Sequence, residues 1–597
     1  MEFYTSQILI SNCGSCNTSD SKKLSKVFKQ QLRQHKLENE VEVLNISCVG
    51  LCELAPVVII YPEGTVYTRV TTKDIKEVIE EHIMKERVLE RLVYKGEGYN
   101  GRVKSLMDLE IFKKQNRIAL KNCGIIDPEN IDEYIALDGY KALAKVLFKM
   151  TKEEVVKVVK ESGLRGRGGG GFSTGLKWGL TAEQDNDEKY VICNADEGDP
   201  GAFMDRSALE GDPHAVLEAM AIAGYAMGAT KGFIYVRAEY PLAVERLEIA
   251  INQAKEYGLI GKNIFGTDFE FDIEIRLGAG AFVCGEETAL MQSIEGKRGM
   301  PVTKPPFPSV SGLWGKPTCI NNVETLMNIC PIILNGAEWF RGIGTEKSPG
   351  TKVFALGGKI RNAGLVEIPM GMPLNEVIFD VGGGIPNGKA FKAVQTGGPS
   401  GGCIPSTHIN TPIEYDTLIA LGSMMGSGGM IVLDEDNCMV DVARFFLDFT
   451  KDESCGKCTS CRIGTKRLLE TLEKITSGNG EKSDVKKLEK LSKQVKLTSL
   501  CGLGQTAPNP ILSTMRYFMD EYEAHVEDKK CPAKVCKPLF KFQILEDKCK
   551  TCGMCVRNCN VGAISGKVGE LHVIDSEKCI KCGFCVEVCP FDAIITI

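Results

Sequence analysis

Cysteine is the residue type in this chain with the clearest capacity for chemistry. The sequence holds 25 cysteines among 597 residues but only 6 histidines, and 10 of the cysteines fall between Cys531 and Cys589. Bunched thiols in a reducing compartment favour metal ligation over disulfide cross-links. The sequence therefore predicts sulfur-ligated metal centres, and the shortage of histidine argues against most zinc-hydrolase and haem sites.

Two runs near the C-terminus share the spacing C-x2-C-x2-C-x3-C. This spacing is typical of bacterial two-cluster ferredoxins, in which three cysteines of a run bind one [4Fe–4S] cluster and the fourth binds the other. The first predicted quartet is Cys549, Cys552, Cys555 and Cys589. The second is Cys579, Cys582, Cys585 and Cys559. A pair of zinc sites is the alternative, but zinc sites are usually built from paired knuckles.

A third group of cysteines lies in ESCGKCTSCR, where Cys455, Cys458 and Cys461 are again two residues apart. A fourth ligand must come from elsewhere. Cys501 in SLCGLG is the natural candidate, because small neighbours leave room for a cluster. The pattern predicts another [4Fe–4S] centre, with a structural zinc as the alternative.

A glycine run, GLRGRGGGGFSTGLKW, occupies residues 163–178 and contains the pattern G-x-G-x-x-G. A Rossmann fingerprint should follow a strand. The preceding TKEEVVKVVKESG has apolar residues at helical spacing, so we reject the ordinary Rossmann interpretation. Four consecutive glycines let a flat ring or a phosphate touch the backbone. A surface linker is the alternative.

The motifs ESCGKCTSCR and SLCGLG resemble the cluster signature of the NADH- and FMN-binding subunit of respiratory complex I and of NAD-linked hydrogenases. CNADEGDPGAF, GAFVCGEETALMQSIEG and PTCINNVET resemble the flavin site of the same family. The resemblance implies an FMN site that consists of Gly166, Arg167, Gly168, Gly169, Gly170, Lys177, Asn194, Asp196, Glu197, Gly285, Glu286, Asn321 and Asn322. It implies NAD contacts from Phe172, Asp199, Glu287, Lys304 and Phe307. Leu180 stands where the family often has an aromatic residue.

The N-terminal segment carries Cys13, Cys16, Cys48 and Cys52. CVGLCELAPVVIIYPEG resembles the second half of a thioredoxin-like [2Fe–2S] ferredoxin, and the resemblance implies a [2Fe–2S] centre on these four residues. The first pair is spaced more closely than is usual there. A redox-active dithiol formed by Cys13 and Cys16 is the alternative.

Residues His525, Cys531 and Cys536 lie together outside every predicted quartet. A mixed nitrogen and sulfur set suits tetrahedral zinc, although no fourth ligand is identifiable. The alternative is two incidental thiols and an exposed histidine. The other seven cysteines, Cys438 among them, are isolated in the sequence and are interpreted as small buried hydrophobic residues.

The elements that must position these residues form an α/β multidomain protein. By resemblance, the expected parts are a thioredoxin-like ferredoxin head, a Rossmann-like FMN core of the complex I type, a helical [4Fe–4S] domain and a two-cluster ferredoxin tail. The predicted bounds are a head at 1–88, a linker at 89–107, an FMN/NADH domain at 108–345, a ubiquitin-like (β-grasp) soluble-ligand-binding domain at 346–435, a helical cluster domain at 436–524, a zinc-binding linker at 525–540 and a tail at 541–597.

The composition narrows the class of protein further. The net charge of −6 gives no reason to expect a nucleic-acid partner or a polybasic membrane anchor. The sequence begins without the pattern of a signal peptide and has no apolar run long enough for a membrane span. We therefore expect a cytoplasmic protein without a membrane or nucleic-acid partner.

A function follows from combining these centres. NAD(H) carries two electrons together as hydride, whereas each iron–sulfur cluster accepts one electron at a time. A flavin can exchange either two electrons or one, so it can connect the two. We expect a diaphorase, an oxidoreductase with FMN, NAD(H), three [4Fe–4S] clusters, one [2Fe–2S] cluster and one zinc. No catalytic side chain is predicted, because the flavin itself exchanges the hydride.

The fused arrangement resembles the diaphorase subunit of multimeric [FeFe]-hydrogenases, including electron-bifurcating ones. This resemblance implies three partners: an [FeFe]-hydrogenase catalytic subunit, a small thioredoxin-like [2Fe–2S] subunit and, as an open option, a ferredoxin. The alternatives are the equivalent subunit of an NAD-dependent formate dehydrogenase and a non-catalytic relay subunit without flavin. The sequence leaves the choice between NAD and NADP open.

Overall fold

The computed structural model describes residues 4–12, 18–95 and 110–597. Its N-terminal head is a four-stranded sheet in the order β2-β1-β3-β4, with β2 parallel to β1 and the other neighbours antiparallel. The elements are β1 (Ser6–Ser11), α1 (Thr18–Gln34), β2 (Val41–Ile46), β3 (Val58–Tyr61), β4 (Thr65–Tyr67) and α2 (Ile75–Glu77), which continues as a wider turn over Val78–Ile83.

The packed head extends beyond the predicted boundary at residue 88. Leu92 and Val93 are buried in the core of the head, and Val93 forms a β-bridge with Tyr67. The segment around Leu92 and Val93 packs on the head because its apolar side chains complete the hydrophobic core of the head. Most of the predicted linker lies outside the described residues.

The next domain is built on a four-stranded parallel sheet in the order β7-β6-β5-β8. Its elements are α3 (Glu110–Lys113), α4 (Ile131–Ala136), α5 (Lys141–Lys149), α6 (Lys152–Glu161), α7 (Thr174–Ala182), β5 (Tyr190–Ala195), α8 (Met204–Gly211), α9 (Pro213–Met227), β6 (Lys231–Arg237), α10 (Pro241–Glu256), β7 (Asp272–Gly278), α11 (Glu287–Ile294), β8 (Thr318–Asn322), α12 (Val323–Met327), α13 (Ile329–Asn335) and α14 (Ala337–Arg341).

Helix α9 is the central support of this sheet. Asp212 caps its amino end, Pro213 occupies its first turn and Gly228 ends it with a positive φ of 73°. Every residue of α9 except Tyr225 is buried. Strands β5 and β6 are runs of apolar residues because parallel strands of this kind are covered on both faces.

Helix α6 explains why the glycine run departs from the Rossmann pattern. Its first residues follow a capping box formed by Thr151 and Glu154. Its buried face is formed by Val155 and Val159. The glycine run therefore connects helix to helix, as its sequence predicts.

A second, mixed sheet follows in the order β10-β9-β13-β11-β12. Strands β9 and β13 are parallel and the other neighbours are antiparallel. The elements are β9 (Thr351–Gly358), β10 (Gly364–Pro369), β11 (Phe391–Thr396), β12 (Gly402–Pro405), α15 (Tyr415–Ala420) and β13 (Gly429–Asp434). The sheet has its own hydrophobic core and occupies the segment for which the β-grasp domain is predicted.

The chain then becomes helical and ends in a small repeated unit. The helices are α16 (Met439–Asp452), α17 (Thr459–Thr476), α18 (Lys482–Thr498), α19 (Gly502–Thr506), α20 (Asn509–Tyr517) and α21 (Met519–Glu523). The tail consists of β14 (Phe542–Ile544), α22 (Met554–Arg557), β15 (Ile564–Ser565), β16 (Val573–Ile574), α23 (Phe584–Glu587) and β17 (Ile594–Thr596), with β14 paired to β17 and β15 to β16. In the part of the chain that the structure describes, no helix has the length and apolar character needed to span a bilayer.

Candidate functional site

The glycine run forms the loop between α6 and α7, and Ser173 caps the start of α7. Gly169 and Gly171 adopt positive φ values of 129° and 63°, a region that favours glycine. A Cβ atom at Gly171 would lie 2.6 Å from the Tyr415 ring, whereas one at Gly170 would have no described atom within 4 Å. The loop therefore presents bare backbone to an open space.

That space is a cleft of about 510 Å³ at the carboxyl ends of β5 and β8. Open α/β sheets bind ligands at this end of their strands. The predicted FMN residues in its wall are Gly166, Gly168, Gly169, Gly170, Lys177, Asn194, Asp196, Glu197, Gly285, Glu286, Asn321 and Asn322. The predicted NAD residues in its wall are Phe172, Asp199, Glu287 and Lys304.

Two predicted residues lie elsewhere. The Arg167 side chain is fully buried, and its guanidinium donates to the carbonyls of Thr351 at 2.9 Å, Arg165 at 3.0 Å and Pro349 at 2.6 Å. The Arg167 side chain therefore supports the backbone of the loop and is not part of the cleft wall, although the resemblance implies that Arg167 belongs to the FMN site. Phe307 is 57% exposed and lies outside the cleft wall, so its contact with NAD stays a prediction.

Three carboxyl groups that follow β5 have raised pKa values. Burial raises the pKa of Asp196 to about 7 and that of Asp199 to about 6. Burial also raises the pKa of Glu197 to about 7, although Glu197 accepts a hydrogen bond from the Met204 N–H at 2.8 Å. Both carboxyl oxygens of Asp196 and Oδ1 of Asp199 lack a hydrogen-bond partner among the described residues. Buried acceptors of this kind suit a polar ligand.

Lysines and carboxylates form a charged group at one side of the cleft. Lys304 Nζ lies 2.7 Å from Glu287 Oε1 and 3.6 Å from Glu286 Oε1, and Lys177 Nζ lies 3.4 Å from Glu287 Oε2. Burial opposes ionisation of Glu287, but Lys177 and Lys304 outweigh burial and lower its pKa. Fixed charges of both signs suit the hydroxyl and phosphate groups of a nucleotide.

The cleft wall also includes residues that no sequence pattern described above indicates as site residues. They are Asp205, Thr325, Gly397, Ser400, Met424, Gly426 and Ser427. Ser427 Oγ donates to Asp199 Oδ2 at 2.6 Å, which links the second sheet domain to the cleft. The glycine-rich segments GGPSGG and GSMMGSGG contain the five of these residues that belong to the second sheet domain, and they are the sequence signal that could have indicated those five. Asp205 lies in α8 and Thr325 in α12.

A small cavity beside the cleft contains the third group of cysteines. Cys455, Cys458, Cys461 and Cys501 all line it. Cys458 directly precedes α17 and Cys501 directly precedes α19, so two helix starts bring them together. Burial raises the pKa of the Cys461 thiol to about 11. The structure thus places Cys501 with the other three, as its surroundings in the sequence predict.

Val283 and Leu503 line both the cysteine cavity and the cleft. They pack in one hydrophobic cluster with Cys461. The two sites are therefore separated by a thin apolar wall.

In the tail, the four cysteines of the first predicted quartet lie together, although they come from both runs. Cys549, Cys552, Cys555 and Cys589 line one cavity. For the second quartet, Cys579 and Cys582 lie close enough to Cys585 to affect its pKa, which burial raises to about 11. Cys559 packs in the same small core, and its place in that quartet stays a prediction.

In the head, Cys48 Sγ and Cys52 Sγ are 3.5 Å apart. The Gly50 N–H donates to Cys48 Sγ at 3.3 Å. The other two predicted ligands, Cys13 and Cys16, lie outside the described residues.

A fourth residue joins the predicted zinc group. Cys438, His525, Cys531 and Cys536 are all buried, and their ligand atoms lie within 4.8 Å of one another. His525 Nε2 lies 3.4 Å from Cys438 Sγ and 3.3 Å from Cys536 Sγ, while its Nδ1 lies 2.7 Å from the Glu521 carbonyl. Cys438 is buried as predicted, but it is not isolated in space, because the fold brings its Sγ to this group.

Four family models match separate parts of the chain. A thioredoxin-like [2Fe-2S] ferredoxin matches residues 5–82, and a Nuo51 FMN-binding domain matches residues 159–331. An NADH-ubiquinone oxidoreductase-F iron-sulfur binding region matches 441–525, and a 4Fe-4S binding domain matches 572–595. The matches follow the order of the parts described above.

Whole-chain relatives agree with these matches. The chain is 65% identical to the NADP-reducing hydrogenase subunit HndC of Solidesulfovibrio fructosivorans, across 81% of this chain and 98% of that protein. It is 45% identical to an NADH-quinone oxidoreductase subunit of Rhizobium meliloti, across 70% of this chain and 99% of that protein. A solved chain of an NAD+-reducing [NiFe]-hydrogenase superposes with a TM-score of 0.61 at 30% identity, across 88% of this chain and 84% of that one.

Proposed function

The chain belongs to the family of NADH-binding flavoprotein subunits of hydrogenases and complex I, and from this membership we propose how its sites work together. It is an FMN-binding iron–sulfur oxidoreductase subunit of this family. In our proposal it exchanges hydride between NAD(H) and FMN and passes single electrons through its clusters to partner subunits. The observation that carries this proposal is the wall of Val283 and Leu503 shared by the cleft and the cysteine cavity.

The residues of the cleft fit FMN. A Cβ atom at Gly168 would lie 3.0 Å from Asn322 Cβ, so the narrow passage there depends on glycine. The unpaired oxygens of Asp196 offer acceptors for a polar ring edge. Bound FMN would supply the exchange between paired and single electrons.

The chain's own residues would bind and orient the substrates. The glycine backbone supports the ring and the ribityl chain, Asn194 and Asn322 present amides, and Lys177 offers a cation to phosphate. Phe172 is 53% exposed beside the cleft and can stack on a nucleotide ring. Asp199, Glu287, Lys304 and Phe307 complete the proposed NAD site. No acid–base side chain is required for hydride transfer.

A flavin and substrate assay tests the proposal directly. The chain, purified in the absence of oxygen, should contain about one FMN per molecule. Addition of NADH or NADPH should bleach the absorbance of this flavin in a single-turnover experiment. The ratio of rates with the two nucleotides establishes the preferred one. Protein with cluster absorbance that contains no flavin and does not oxidise the added nucleotide would instead favour the relay alternative.

We also propose the metal content: three [4Fe–4S] clusters, one [2Fe–2S] cluster and one zinc bound by Cys438, His525, Cys531 and Cys536. Three thiols and one imidazole in a buried group fit the usual donor set of structural zinc. The contact of His525 Nδ1 with the Glu521 carbonyl fits the partner that a metal-binding histidine usually has.

Metal analysis should find about 14 iron atoms and about one zinc per chain. Cys438→Ser should reduce the zinc content and leave the iron unchanged. Cys403→Ser is the matched control, because Cys403 is buried and its Sγ donates to Gln395 Oε1 at 3.0 Å, a bond that serine can keep. Zinc retained at the wild-type level in Cys438→Ser would contradict the site.

The proposed partners are an [FeFe]-hydrogenase catalytic subunit and a small thioredoxin-like [2Fe–2S] subunit, with ferredoxin as the third redox partner of a bifurcating complex. The name of the 65% identical relative supports a hydrogenase partner. Isolation of the native complex and identification of its subunits tests this proposal. A formate dehydrogenase subunit in place of the hydrogenase subunit would contradict it.

A further inference from the structure

His572 is a buried histidine of the tail that none of the sites above uses. It directly precedes β16 and is 2% exposed. Its ring lies in the wall of the cavity that contains Cys549, Cys552, Cys555 and Cys589. Its Nδ1 lies 3.9 Å from Cys549 Sγ, and its Nε2 has no hydrogen-bond partner among the described residues. Buried polar groups are usually satisfied, so an imidazole with so few polar contacts calls for an explanation.

Two glycines hold this imidazole in place. A Cβ atom at Gly566 would lie 3.0 Å from His572 Cδ2, and one at Gly553 would lie 3.9 Å from His572 Nε2. The ring is therefore flanked by the residue after β15 and by the loop that joins Cys552 to Cys555. Packing on both sides restricts the ring, so Nδ1 stays on the side of the Cys549 sulfur.

The internal repeat of the tail indicates that packing alone does not require a histidine here. Cys549 and Cys579 begin the two runs and are 30 positions apart, so the residue equivalent to His572 is Phe542. Phe542 begins β14 and packs in the same small core. An aromatic ring of similar size thus fills the equivalent position, and the nitrogen atoms of His572 are not needed to fill space.

A bound cluster would determine which ring nitrogen carries the proton. A cysteine that ligates iron is a thiolate, which accepts a hydrogen bond but has no proton to donate. Nδ1 therefore has to carry the proton for its contact with Cys549 to be favourable. The partner of a histidine nitrogen is what sets the tautomer in this way.

We propose that His572 raises the reduction potential of the [4Fe–4S] cluster of the first predicted quartet by presenting its Nδ1–H to the sulfur of Cys549. The inference rests on the proposed binding of that cluster, and all four of its cysteines lie in the described part of the chain.

The physical reason is the change of charge on reduction. The cluster gains one electron, which comes from a reduced neighbouring cluster or from a chemical reductant, and no bond forms or breaks. The positive end of an N–H dipole stabilises the added negative charge, and polar contacts with the sulfur atoms are among the determinants of cluster potentials. The second tail cluster has Phe542 at the equivalent position and receives no such stabilisation from it. His572 therefore biases an electron in the tail towards the cluster of the first predicted quartet.

An EPR-monitored redox titration of the full chain tests this role. A chemical titrant sets the potential, so the measurement does not depend on bound flavin. His572→Phe introduces the residue of the equivalent position and removes the N–H. It should shift the reduction equilibrium of one tail cluster at least about fivefold toward the oxidised form, or about 41 mV for one electron. The other clusters should keep their midpoints.

Two further variants complete the titration. His572→Asn also has a nitrogen at the δ position that carries hydrogen, so it should retain most of the wild-type potential. His408→Phe is the matched control, because His408 belongs to the second sheet domain and packs on Tyr517. Its midpoints should equal those of the wild type.

Pulsed EPR supplies a readout that a change of packing alone would not produce. The chain has 6 histidines, so isotopic labelling of the imidazole nitrogens marks few positions. The reduced cluster of the first predicted quartet should show coupling to a labelled nitrogen. This coupling should disappear in His572→Phe and persist in His408→Phe.

The outcomes separate the role of His572 from the existence of the cluster. Unchanged midpoints in His572→Phe, or equal shifts in the Phe and Asn variants, would overturn the role of the N–H and leave the cluster assignment intact. Cys589→Ala should lose about four irons per chain. Iron at the wild-type level in Cys589→Ala would overturn both the cluster and the role of His572. If His572→Phe fails to fold, His572→Leu removes the same N–H and is measured against the same control.

Discussion

Asp196 is a residue of the cleft at which the fold opposes an ionised side chain. It is 8% exposed, and its oxygens have no partner in the described parts of the chain. Burial raises its pKa to about 7, against partial compensation by Arg237. In the flavin-free cleft, ionisation of Asp196 at neutral pH therefore destabilises the fold. A perturbed, unpartnered carboxyl group of this kind is typical of a site that binds a hydrogen-bonding ligand.

The pH dependence of stability should reveal this strain. Because the folded pKa lies above the unfolded value near 3.8, the folded chain holds an extra proton between about pH 4 and 7 and loses stability as the pH rises through that range. Asp196→Asn stays neutral, so its melting temperature in flavin-free protein should fall less between about pH 5 and pH 8.

The control for this comparison is a carboxyl group that, unlike that of Asp196, is exposed. Asp187→Asn alters an exposed aspartate of the loop before β5 and should follow the wild-type pH profile. Glu197 and Asp199 contribute a dependence of the same sign to all three proteins. Parallel profiles for wild type and Asp196→Asn would refute the prediction.

Among the elements, the loop between α6 and α7 decides whether the cleft can receive a ring. Tyr415 lies behind the loop, and its hydroxyl donates to the Gly166 carbonyl at 2.8 Å. Gly171 passes close to the face of that tyrosine with φ of 63°. The backbone path of the loop thus depends on the second sheet domain, which supplies Tyr415.

Gly171→Ala should reduce FMN content at least about tenfold while the overall helix content stays unchanged. The added Cβ would lie 2.6 Å from the Tyr415 ring and at an unfavourable positive φ, so the loop must move. Gly179→Ala inside α7 is the matched control, since its Cβ would meet Val156 at an ordinary 3.7 Å and alanine favours helix. Flavin content and circular dichroism measure both effects. Full flavin occupancy in Gly171→Ala would show that the loop does not hold the ring.

At the scale of the whole molecule, the sites form a series. The cleft adjoins the cavity of Cys455, Cys458, Cys461 and Cys501 through the Val283 and Leu503 wall, whereas the tail cysteines belong to a separate core. Electrons that leave the flavin are thus expected to reach the cavity cluster before the tail clusters.

Two cysteine variants test that order. Cys501→Ser should allow NADH to bleach the flavin but should slow reduction of all [4Fe–4S] clusters at least about tenfold, because the first acceptor is impaired. Cys589→Ser should impair one tail cluster only. Stopped-flow absorbance and EPR after NADH addition distinguish the two. Rapid reduction of the tail clusters in Cys501→Ser would contradict a serial route.

The sequence by itself determined the chemistry of this protein wherever ligands lie close together along the chain. A cluster bound by residues two or three apart is encoded by spacing, because one loop wraps it. The same holds for the helix before the glycine run, whose apolar spacing is local. The cleft residues that follow β5 and β8 were indicated by the resemblance to the family's flavin site, and parallel strands bring such residues to one edge of a sheet.

Only the tertiary structure decided the contacts between distant segments. It brought Cys438 to His525 across 87 residues, placed Ser427 on Asp199 and directed Arg167 away from the cleft. None of these pairs has a local pattern, since each results from how separate domains pack, and the packing depends on many buried side chains at once. A single sequence shows which residues can do chemistry, but long-range packing determines which of them meet.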